Sequence, residues 1–273
     1  MYRRLKNRRQ SKSSIPLKNK HEIELMKEAG HLVADCFALL KESIQPGVRL
    51  RDLDQKVELL IRERGALPLY KGYQGNPPSH PPFPGVICAA VNNEVCHGLP
   101  DNRRLRKGDI VGIDIGLRHK GYCGDACVTF PVGKISPMAE RLLRVSEECM
   151  YKGIEAAQPG RMIGEVGVAI EEHARRHGYS VVVEWGGHGV GKNLHEAPSV
   201  PHTGPADVGP RLRPGMVFTV EPMVNMGSAD NHMLKDGWTV VTNDGSLSSQ
   251  FEHTIAITRK GPVILSPWHK TMA

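Results

Sequence analysis

Apolar residues near the start of the chain recur at the spacing of one helix face. The first stripe comprises Ile23, Met26, Val33, Phe37, Leu40 and Ile44, and Pro46-Gly47 ends it. A second stripe comprises Leu53, Val57, Leu60 and Ile61 and ends at Gly65. A proline-rich loop at 76–84 follows, and then apolar runs at 86–91, 109–117 and 122–132. This pattern predicts two helices followed by three strands.

The same order of elements is predicted a second time along the chain. Ser136 and Pro137 are typical of a helix N-terminus, and this helix is expected to run to Pro159-Gly160. A further helix is predicted over 163–177, followed by strands at 181–185, 216–224, 238–242 and 250–258. The predicted fold class is therefore α+β, with a single domain over 21–273 that consists of helix–helix–strand halves at about 21–134 and 135–268.

A short internal repeat relates the two halves. Segments 105–114 and 212–221 carry Leu, Arg and Gly at the same places, and each ends on an acid, Asp114 or Glu221. We interpret each copy as a turn at its glycine followed by a strand. Chance similarity between two such strands is the alternative. If a pseudo-twofold axis relates the halves, the two acids occupy matching positions, which would suit a symmetric pair of metal sites.

Four acids stand in or beside apolar strand runs, where an unpaired charge is costly. They are Asp114, Asp125, Glu221 and Glu252. A salt bridge would explain any one of them, but the same strands contain few basic residues, so we interpret the four as ligands of cations. Their charge balances two divalent ions, with His188 as the single nitrogen ligand. Such an oxygen-rich set suits Mn²⁺, Fe²⁺ or Co²⁺, and less obviously Zn²⁺.

Glycines surround His188 in the segment 186–191 (GGHGVG) and allow close approach of backbone and ligand. This segment with Lys192 also has the spacing of a phosphate-binding loop, but Asn193 replaces the Ser or Thr that would hold Mg²⁺. His195-Glu196 begins a helical zinc-protease pattern, but Ser199 stands at the second histidine position. Both of these alternatives are therefore disfavoured.

Seven short blocks together carry a family resemblance. They are 93–98 (NEVCHG), 109–114 (DIVGID), 124–125 (GD), 187–191 (GHGVG), 195–198 (HEAP), 218–223 (FTVEPM) and 250–254 (QFEHT). Over about residues 20–268 the chain resembles the type I methionine aminopeptidases. The resemblance implies the pita-bread fold, whose pseudo-twofold halves surround a curved antiparallel sheet. It also implies removal of the initiator methionine from nascent polypeptides, with a preference for a small second residue.

The resemblance also implies how the ligands divide between two metal ions. Asp125 and Glu252 would bridge the metals, Asp114 would complete one site, and His188 with Glu221 would complete the other. The ions, Co, Mn, Fe or Zn, would share a hydroxide that attacks the first peptide carbonyl of the substrate.

Three residues receive catalytic roles from the same resemblance. Glu221 would move the proton as general base and then acid, and His195 would stabilise the developing oxyanion. His97 would contact the substrate near the scissile amide. A core or solvent-exposed histidine is the alternative interpretation for His97 and His195.

By resemblance, the methionine pocket involves Tyr73, Cys88, Leu194 and Trp238. A flexible thioether favours an apolar, polarisable pocket, which Cys88 and Trp238 would supply. Leu194 departs from the family, where an aromatic residue is common, and Asn76 stands where a second Tyr is expected. The 76–84 loop is also longer than usual.

Two other functions compete with this interpretation. A proline-directed aminopeptidase or dipeptidase of the same fold would share the ligands, but such enzymes usually carry a large N-terminal domain, and here about 20 residues precede the first predicted helix. A non-catalytic binding protein of this fold would be expected to lack ligands, and none is missing. The short spacings from His188 to Glu221 and from Glu221 to Glu252 favour type I over type II, which has a helical insertion.

The net charge of +7 comes from the start of the chain. Residues 1–20 contain eight basic side chains and no acid, and the remainder has 28 basic and 29 acidic residues. This extension is interpreted as disordered and solvated; alternatives are an electrostatic attachment to RNA such as the ribosome surface, or a targeting segment. The near-neutral remainder disfavours a nucleic-acid-binding protein.

No apolar run is long enough to cross a bilayer, so no membrane association is expected. The six cysteines have no framework spacing and are interpreted as reduced thiols. With no signal-like segment after the first residues, a cytoplasmic location is expected, and a monomer is the default.

Overall fold

The computed structural model describes residues 14–74 and 80–272, and its first two helices are those predicted from the sequence. Helix α1 (Lys20–Ser43) begins at a capping box, in which Asn19 and Glu22 each accept a hydrogen bond from the backbone N–H of the other. Helix α2 is Leu50–Glu63. Phe37, fully buried on α1, packs against Phe130 of the sheet with ring centroids 6.2 Å apart.

The first half contains five strands, four of which form an antiparallel sheet beneath these helices. They are β1 (Leu67–Pro68), β2 (Cys88–Val91), β3 (Glu94–Cys96), β4 (Ile110–His119) and β5 (Tyr122–Pro131). Strand β4 pairs with β1, β2 and β5, whereas β3 pairs in a different sheet. The β4–β5 hairpin is paired along its full ten-residue length.

The second half repeats the plan of two helices followed by strands. Helix α3 (Pro137–Ala156) begins at Ser136, whose hydroxyl accepts from the Ala139 N–H, and α4 is Gly164–Arg176. The strands are β6 (Ser180–Val181), β7 (Gly187–Gly189), β8 (Glu196–Val200), β9 (Val217–Val220), β10 (Met223–Asn225), β11 (Asn231–Met233), β12 (Val240–Thr242), β13 (Ser248–Gln250), β14 (His253–Thr258) and β15 (Gly261–Ile264). A short helix, α5 (Trp268–Met272), follows.

One apolar core joins the two halves. Its buried members include Phe37 and Leu53 from the first half and Val145, Ile170 and Phe218 from the second. Every strand pair formed by the described residues is antiparallel. The predicted α+β class is confirmed.

Two long predicted strands are interrupted. The run predicted at 216–224 is two strands that break at Glu221-Pro222, and the run at 250–258 lies in two strands that break at Phe251-Glu252. The backbone N–H of Glu221 donates to His202 Nε2 at 3.2 Å, and that of Glu252 donates to the Cys127 carbonyl at 2.9 Å. The N–H groups of Glu221 and Glu252 have partners outside the ladder, and Pro222 has no backbone N–H. The strand pairing therefore cannot continue through these residues.

Residues 1–20 were predicted to be a disordered extension, but the C-terminal end of this segment packs against the domain. Lys18 is buried, its N–H donates to the Gly215 carbonyl, and its ammonium lies 2.6 Å from the Glu196 carboxylate, with side chains 5% and 9% exposed. The chain is thus attached to the domain before α1 begins. Residues 1–13, which carry six of the eight basic side chains of the segment 1–20, lie outside the described residues, as does Asn76.

All six cysteines are free and buried. Among the helices of the described residues, none combines the length and the apolarity that a bilayer span requires.

Candidate active site

A cavity of about 770 Å³ opens between the two halves and contains every site residue predicted from the sequence. These are Tyr73, Cys88, His97, Asp114, Asp125, His188, Leu194, His195, Glu221, Trp238 and Glu252. Three of the five predicted metal ligands lie on strands β4, β5 and β7, and the other two lie at the strand breaks β9–β10 and β13–β14. Tertiary structure therefore brings together residues that lie far apart in the sequence.

The two aspartates are positioned by the β4–β5 hairpin. Asp114 is opposite Cys127 and Asp125 is opposite Gly116, so both carboxylates project from the same face of the sheet. The missing side chain at Gly116 leaves room for the ring of Tyr70, because a Cβ there would press against it. The Tyr70 hydroxyl lies 2.5 Å from Asp114 Oδ1 and 3.0 Å from Asp125 Oδ1.

The two glutamates face each other where a strand ladder opens. Val220 pairs with His253 and Met223 pairs with Gln250, so two residues on each side are left unpaired between these rungs. Glu221 and Glu252 occupy this opening. Glu221 Oε1 accepts from the Thr219 hydroxyl at 2.6 Å, and its Oε2 accepts from the Gln250 amide at 3.2 Å.

His188 reaches the carboxylates from the short strand β7. A Cβ at Gly187 would collide with the Thr219 carbonyl, and one at Gly189 would collide with the Ala197 carbonyl, so β7 fits between its neighbours only with glycines beside the histidine. His188 Nε2 lies 3.5 Å from Asp125 Oδ2 and 3.6 Å from Glu221 Oε1.

The protonation state of His188 suits a ligand. Its Nδ1 lies 3.0 Å from the Gly189 carbonyl oxygen, which can only accept, so Nδ1 carries the proton. Burial lowers the pKa of His188 despite this hydrogen bond and one to Leu194, which favours the neutral ring. The Nε2 lone pair is thereby directed at the carboxylates.

Burial dominates the electrostatics of the four acids. Desolvation raises the pKa of Asp125 to about 7 although Tyr70 donates to it. Desolvation, followed by the neighbouring carboxylates, raises the pKa of Glu252 well above its ordinary value, and Asp114 and Glu221 shift in the same direction. Among the described residues, no lysine or arginine forms a salt bridge with any of the four.

These observations fit the residues to divalent cations. Donor oxygens of Asp114, Asp125 and Glu252 lie within 4.8 Å of one another, and Asp125 also adjoins His188. Glu252 Oε1 is buried and accepts no hydrogen bond. An orphaned carboxylate oxygen beside three more buried acids is expected where cations neutralise the charge.

His195 and His97 line the cavity beside the acids. The His195 ring centroid lies 4.2 Å from that of His188, and its Nδ1 lies 3.1 Å from the Tyr73 hydroxyl. Burial lowers the pKa of both His195 and His97 to about 4, so both rings are neutral near pH 7. His97 has a positive φ of 54°, which few non-glycine residues adopt, and its ring packs against Trp185.

The predicted pocket residues line the same cavity. Cys88 and Leu194 are buried, and Tyr73 is 41% exposed. The Trp238 indole donates to the Pro81 carbonyl at 2.8 Å and meets the Phe83 ring edge to face, with centroids 5.2 Å apart. Phe83, which the sequence analysis did not select, therefore holds Trp238 in place.

The residues that support the ligands were not predicted from the sequence; they are Tyr70, Thr219, Gln250 and His202. Thr219 and Gln250 each stand two positions before a selected glutamate. Because alternate strand residues share a face, a polar residue at that spacing was a usable signal. Tyr70 lies in a loop far from the acids in sequence, and no local pattern indicates it.

Known proteins with similar sequences are metallopeptidases, as the cluster of metal-ligand side chains would predict. The profile of metallopeptidase family M24 matches residues 24–259. Methionine aminopeptidase 1 of Bacillus subtilis is 48% identical over 92% of this chain and 99% of its own length. Methionine aminopeptidase A of Synechocystis sp. is 46% identical over 93% of this chain and 98% of its own length.

Solved structures give the same result. The crystal structure of methionine aminopeptidase from Rickettsia prowazekii superimposes with a TM-score of 0.89 at 38% identity, covering 93% of this chain and 100% of that one. A dipeptidase from Pyrococcus horikoshii shares the fold, with a TM-score of 0.72 at 24% identity, but this chain covers 61% of it. The chain therefore belongs to metallopeptidase family M24, and within that family to the methionine aminopeptidases.

Proposed function

We propose that this chain removes the N-terminal methionine from polypeptides by metal-dependent hydrolysis of the first peptide bond. The observation that carries the proposal is the placement of the five-ligand cluster in one cavity with Cys88, Leu194 and Trp238. A reactive centre beside a largely apolar, polarisable pocket suits a methionine residue. Its thioether side chain would occupy the pocket, while its backbone carbonyl would reach the acids. The similarity to methionine aminopeptidases supports the same substrate.

In this proposal Asp114, Asp125, His188, Glu221 and Glu252 are the residues that would hold two divalent ions. When bound, such ions lower the pKa of water and polarise a carbonyl oxygen. The identity of the ions, Co, Mn, Fe or Zn, follows from supply as well as from ligand chemistry.

Glu221 is proposed to move the proton. Its carboxyl group would accept a proton as general base and return it as general acid. The hydrogen bonds from Thr219 and Gln250 fix the orientation of both oxygens. A fixed orientation keeps the carboxyl group aligned with the scissile bond.

The neutral histidines are proposed to bind the reacting amide. If the Tyr73 hydroxyl donates to His195 Nδ1, then Nε2 carries the ring proton and is free to donate to the oxygen that develops negative charge. His97, whose φ is positive and whose ring packs against Trp185, is proposed to contact the amide of the substrate.

The proposal extends to the substrate range, the cellular location and the oligomeric state of the enzyme. A small second residue is preferred, the substrates are nascent chains in the cytoplasm, and the enzyme works as a monomer. The basic residues 1–13 attach the enzyme electrostatically to the ribosome. Co-sedimentation with ribosomes at two salt concentrations tests this attachment, and equal binding by a chain lacking residues 1–13 would refute it.

The decisive experiment compares hydrolysis of Met-Ala-Ser, Met-Trp-Ser and Ala-Pro-Ala after EDTA treatment and after addition of Mn²⁺ or Co²⁺. We expect metal-dependent release of methionine from Met-Ala-Ser, much less from Met-Trp-Ser, and none from the proline peptide. Cleavage of the proline peptide alone would favour a proline-directed enzyme. Failure to cleave any peptide, with metal shown to be bound, would favour a binding protein.

A further inference from the structure

A second group of potential metal ligands lies outside the cavity, between the two helices of the second half. It consists of Glu148 on α3 and of His173 and His177 at the C-terminal end of α4. None of the three lines the active-site cavity. All three side chains are partly buried, so they are restrained by packing and still open to solvent.

The geometry is that of a three-donor site. His173 and His177 are four residues apart and therefore share one helix face, with ring centroids separated by 4.8 Å. His173 Nε2 lies 2.8 Å from Glu148 Oε2. One donor atom from each residue lies within 4.8 Å of the others, so small side-chain rotations suffice to surround an ion at Zn–N and Zn–O distances of about 2.0–2.2 Å.

The donors are carried by a rigid pair of helices. Val145 on α3 and Val166 and Ile170 on α4 are fully buried in the apolar core. At Gly153 a Cβ would press into the Ile170 side chain, which shows how closely α3 and α4 approach. Ligands on packed helices are held in place at a smaller entropic cost than ligands on loops.

The charges around the group are compatible with a cation. Although burial opposes it, hydrogen bonds from His173 and Arg144 hold the pKa of Glu148 below its usual value, so the carboxylate is ionised at neutral pH. Arg144 contacts the other carboxylate oxygen, Oε1, at 3.2 Å and leaves Oε2 to His173. Arg141 donates to the His177 backbone carbonyl, which is not one of the proposed donor atoms.

We propose that Glu148, His173 and His177 form a surface site for a zinc-class divalent ion, separate from the active-site ligands, that bridges α3 and α4. Two imidazoles and one carboxylate suit Zn²⁺, Ni²⁺ and Cu²⁺ better than Mg²⁺ or Ca²⁺, and water completes the coordination. The bound ion stabilises the second half of the molecule by linkage.

Retention of the untagged full chain on a chelated Ni²⁺ resin tests the histidine pair, because a resin-bound ion reaches only surface ligands. We expect wild type and His21→Gln, which removes an exposed histidine of α1, to be retained. His177→Gln, which leaves the His173–Glu148 contact in place, should elute without imidazole. Equal retention of His177→Gln and wild type would overturn the proposal.

Equilibrium dialysis with Zn²⁺ tests the complete site. Wild type should bind one equivalent more than His177→Gln or Glu148→Gln, and Zn²⁺ at about a hundredfold excess over its Kd should raise its Tm by about 5 °C more than theirs. The Tm values of the metal-free proteins, compared first, show whether each variant is folded. Equal zinc stoichiometry in folded wild type and variants would mean that the group is only a surface ion pair.

Discussion

The two halves of the molecule supply acids to the same cluster through different backbones. In the first half, Asp114 and Asp125 lie within fully paired strands of one hairpin. In the second half, Glu221 and Glu252 lie where a ladder opens for two residues on each side. The segments that end in Asp114 and Glu221 are similar in sequence, so related starting sequences arrive at different local structures.

In each half, the length of the acidic side chain matches the pairing of its backbone. An aspartate has one methylene, so its carboxylate stays close to the sheet, and the intact β4–β5 ladder fixes its direction. At the opening, the N–H groups of Glu221 and Glu252 have partners outside the ladder, and longer side chains reach the cluster from there. The support differs too, with the Tyr70 hydroxyl on one side and Thr219 with Gln250 on the other.

The largest effect is expected when either half loses a charge. Asp125→Asn and Glu252→Gln keep the shape but remove a metal ligand, so methionine release should fall by roughly a thousandfold or more in both. A peptide hydrolysis assay measures the rate of methionine release, and elemental analysis measures the metal content of each variant. Glu184→Gln is the matched control, since Glu184 lines the cavity but is exposed and should leave the rate nearly unchanged. If only one half proved sensitive, the shared cluster would be refuted.

Exchanging the side-chain lengths tests the match to the backbone. Asp125→Glu and Glu221→Asp should each lower kcat by roughly a hundredfold, because a displacement of about 1 Å misplaces the carboxylate. Asp125→Glu should also lower the free energy of unfolding by about 1–3 kcal/mol, since the added methylene meets Tyr70 in a filled site. Near-normal activity in both would show that the ladder opening does not set the choice of acid.

The stability of the metal-free protein should depend on pH because of the raised carboxyl pKa values. A folded pKa above the unfolded one means that the native state binds more protons, so stability is present at low pH and is lost as pH rises through the folded pKa. For Asp125, with a folded pKa of about 7 and an unfolded pKa of about 4, the loss between pH 6.5 and 8.5 is about 1 kcal/mol, and it levels off above the folded pKa.

That pH window separates the acids from the buried histidines. The pKa values of His97, His195 and His202 are lowered to about 4, 4 and 3 by burial, so these residues cost stability mainly below an unfolded pKa of about 6.5. Urea unfolding across the window, with EDTA or with Mn²⁺, measures the effect. Metal should remove the slope, and a metal-free protein that became more stable with rising pH would contradict the prediction.

The smallest expected effect concerns the supporting hydroxyl groups. Tyr70→Phe in the first half and Thr219→Val in the second should each weaken metal affinity roughly tenfold, because an oriented carboxylate loses a donor. Titration with Mn²⁺ measures the affinity of each variant. Thr219→Ser retains the hydroxyl and should restore most of the affinity, and its failure to do so would indicate a packing role for Thr219 instead.

Much of the fold and site follows from local patterns. Helices α1 to α4 match the predicted stripes within a few residues, because apolar periodicity and capping residues report which face is buried. Several short strands were not predicted, namely β1, β3 and β15 as well as β7, β8 and β11. They are short, and most are rich in Gly, Pro or polar residues, so they have no alternation to detect.

Local sequence composition alone was enough to select the candidate residues for the chemistry. Acids in apolar strands and a histidine between glycines are anomalies of local composition, and all five lie in one cavity. Tertiary structure alone decided the opening of the ladder at Glu221 and Glu252, the approach of Tyr70 over Gly116, and the burial of Lys18 against Glu196. Local sequence records whether a residue is buried, whereas its partner is set by packing between segments far apart in the chain.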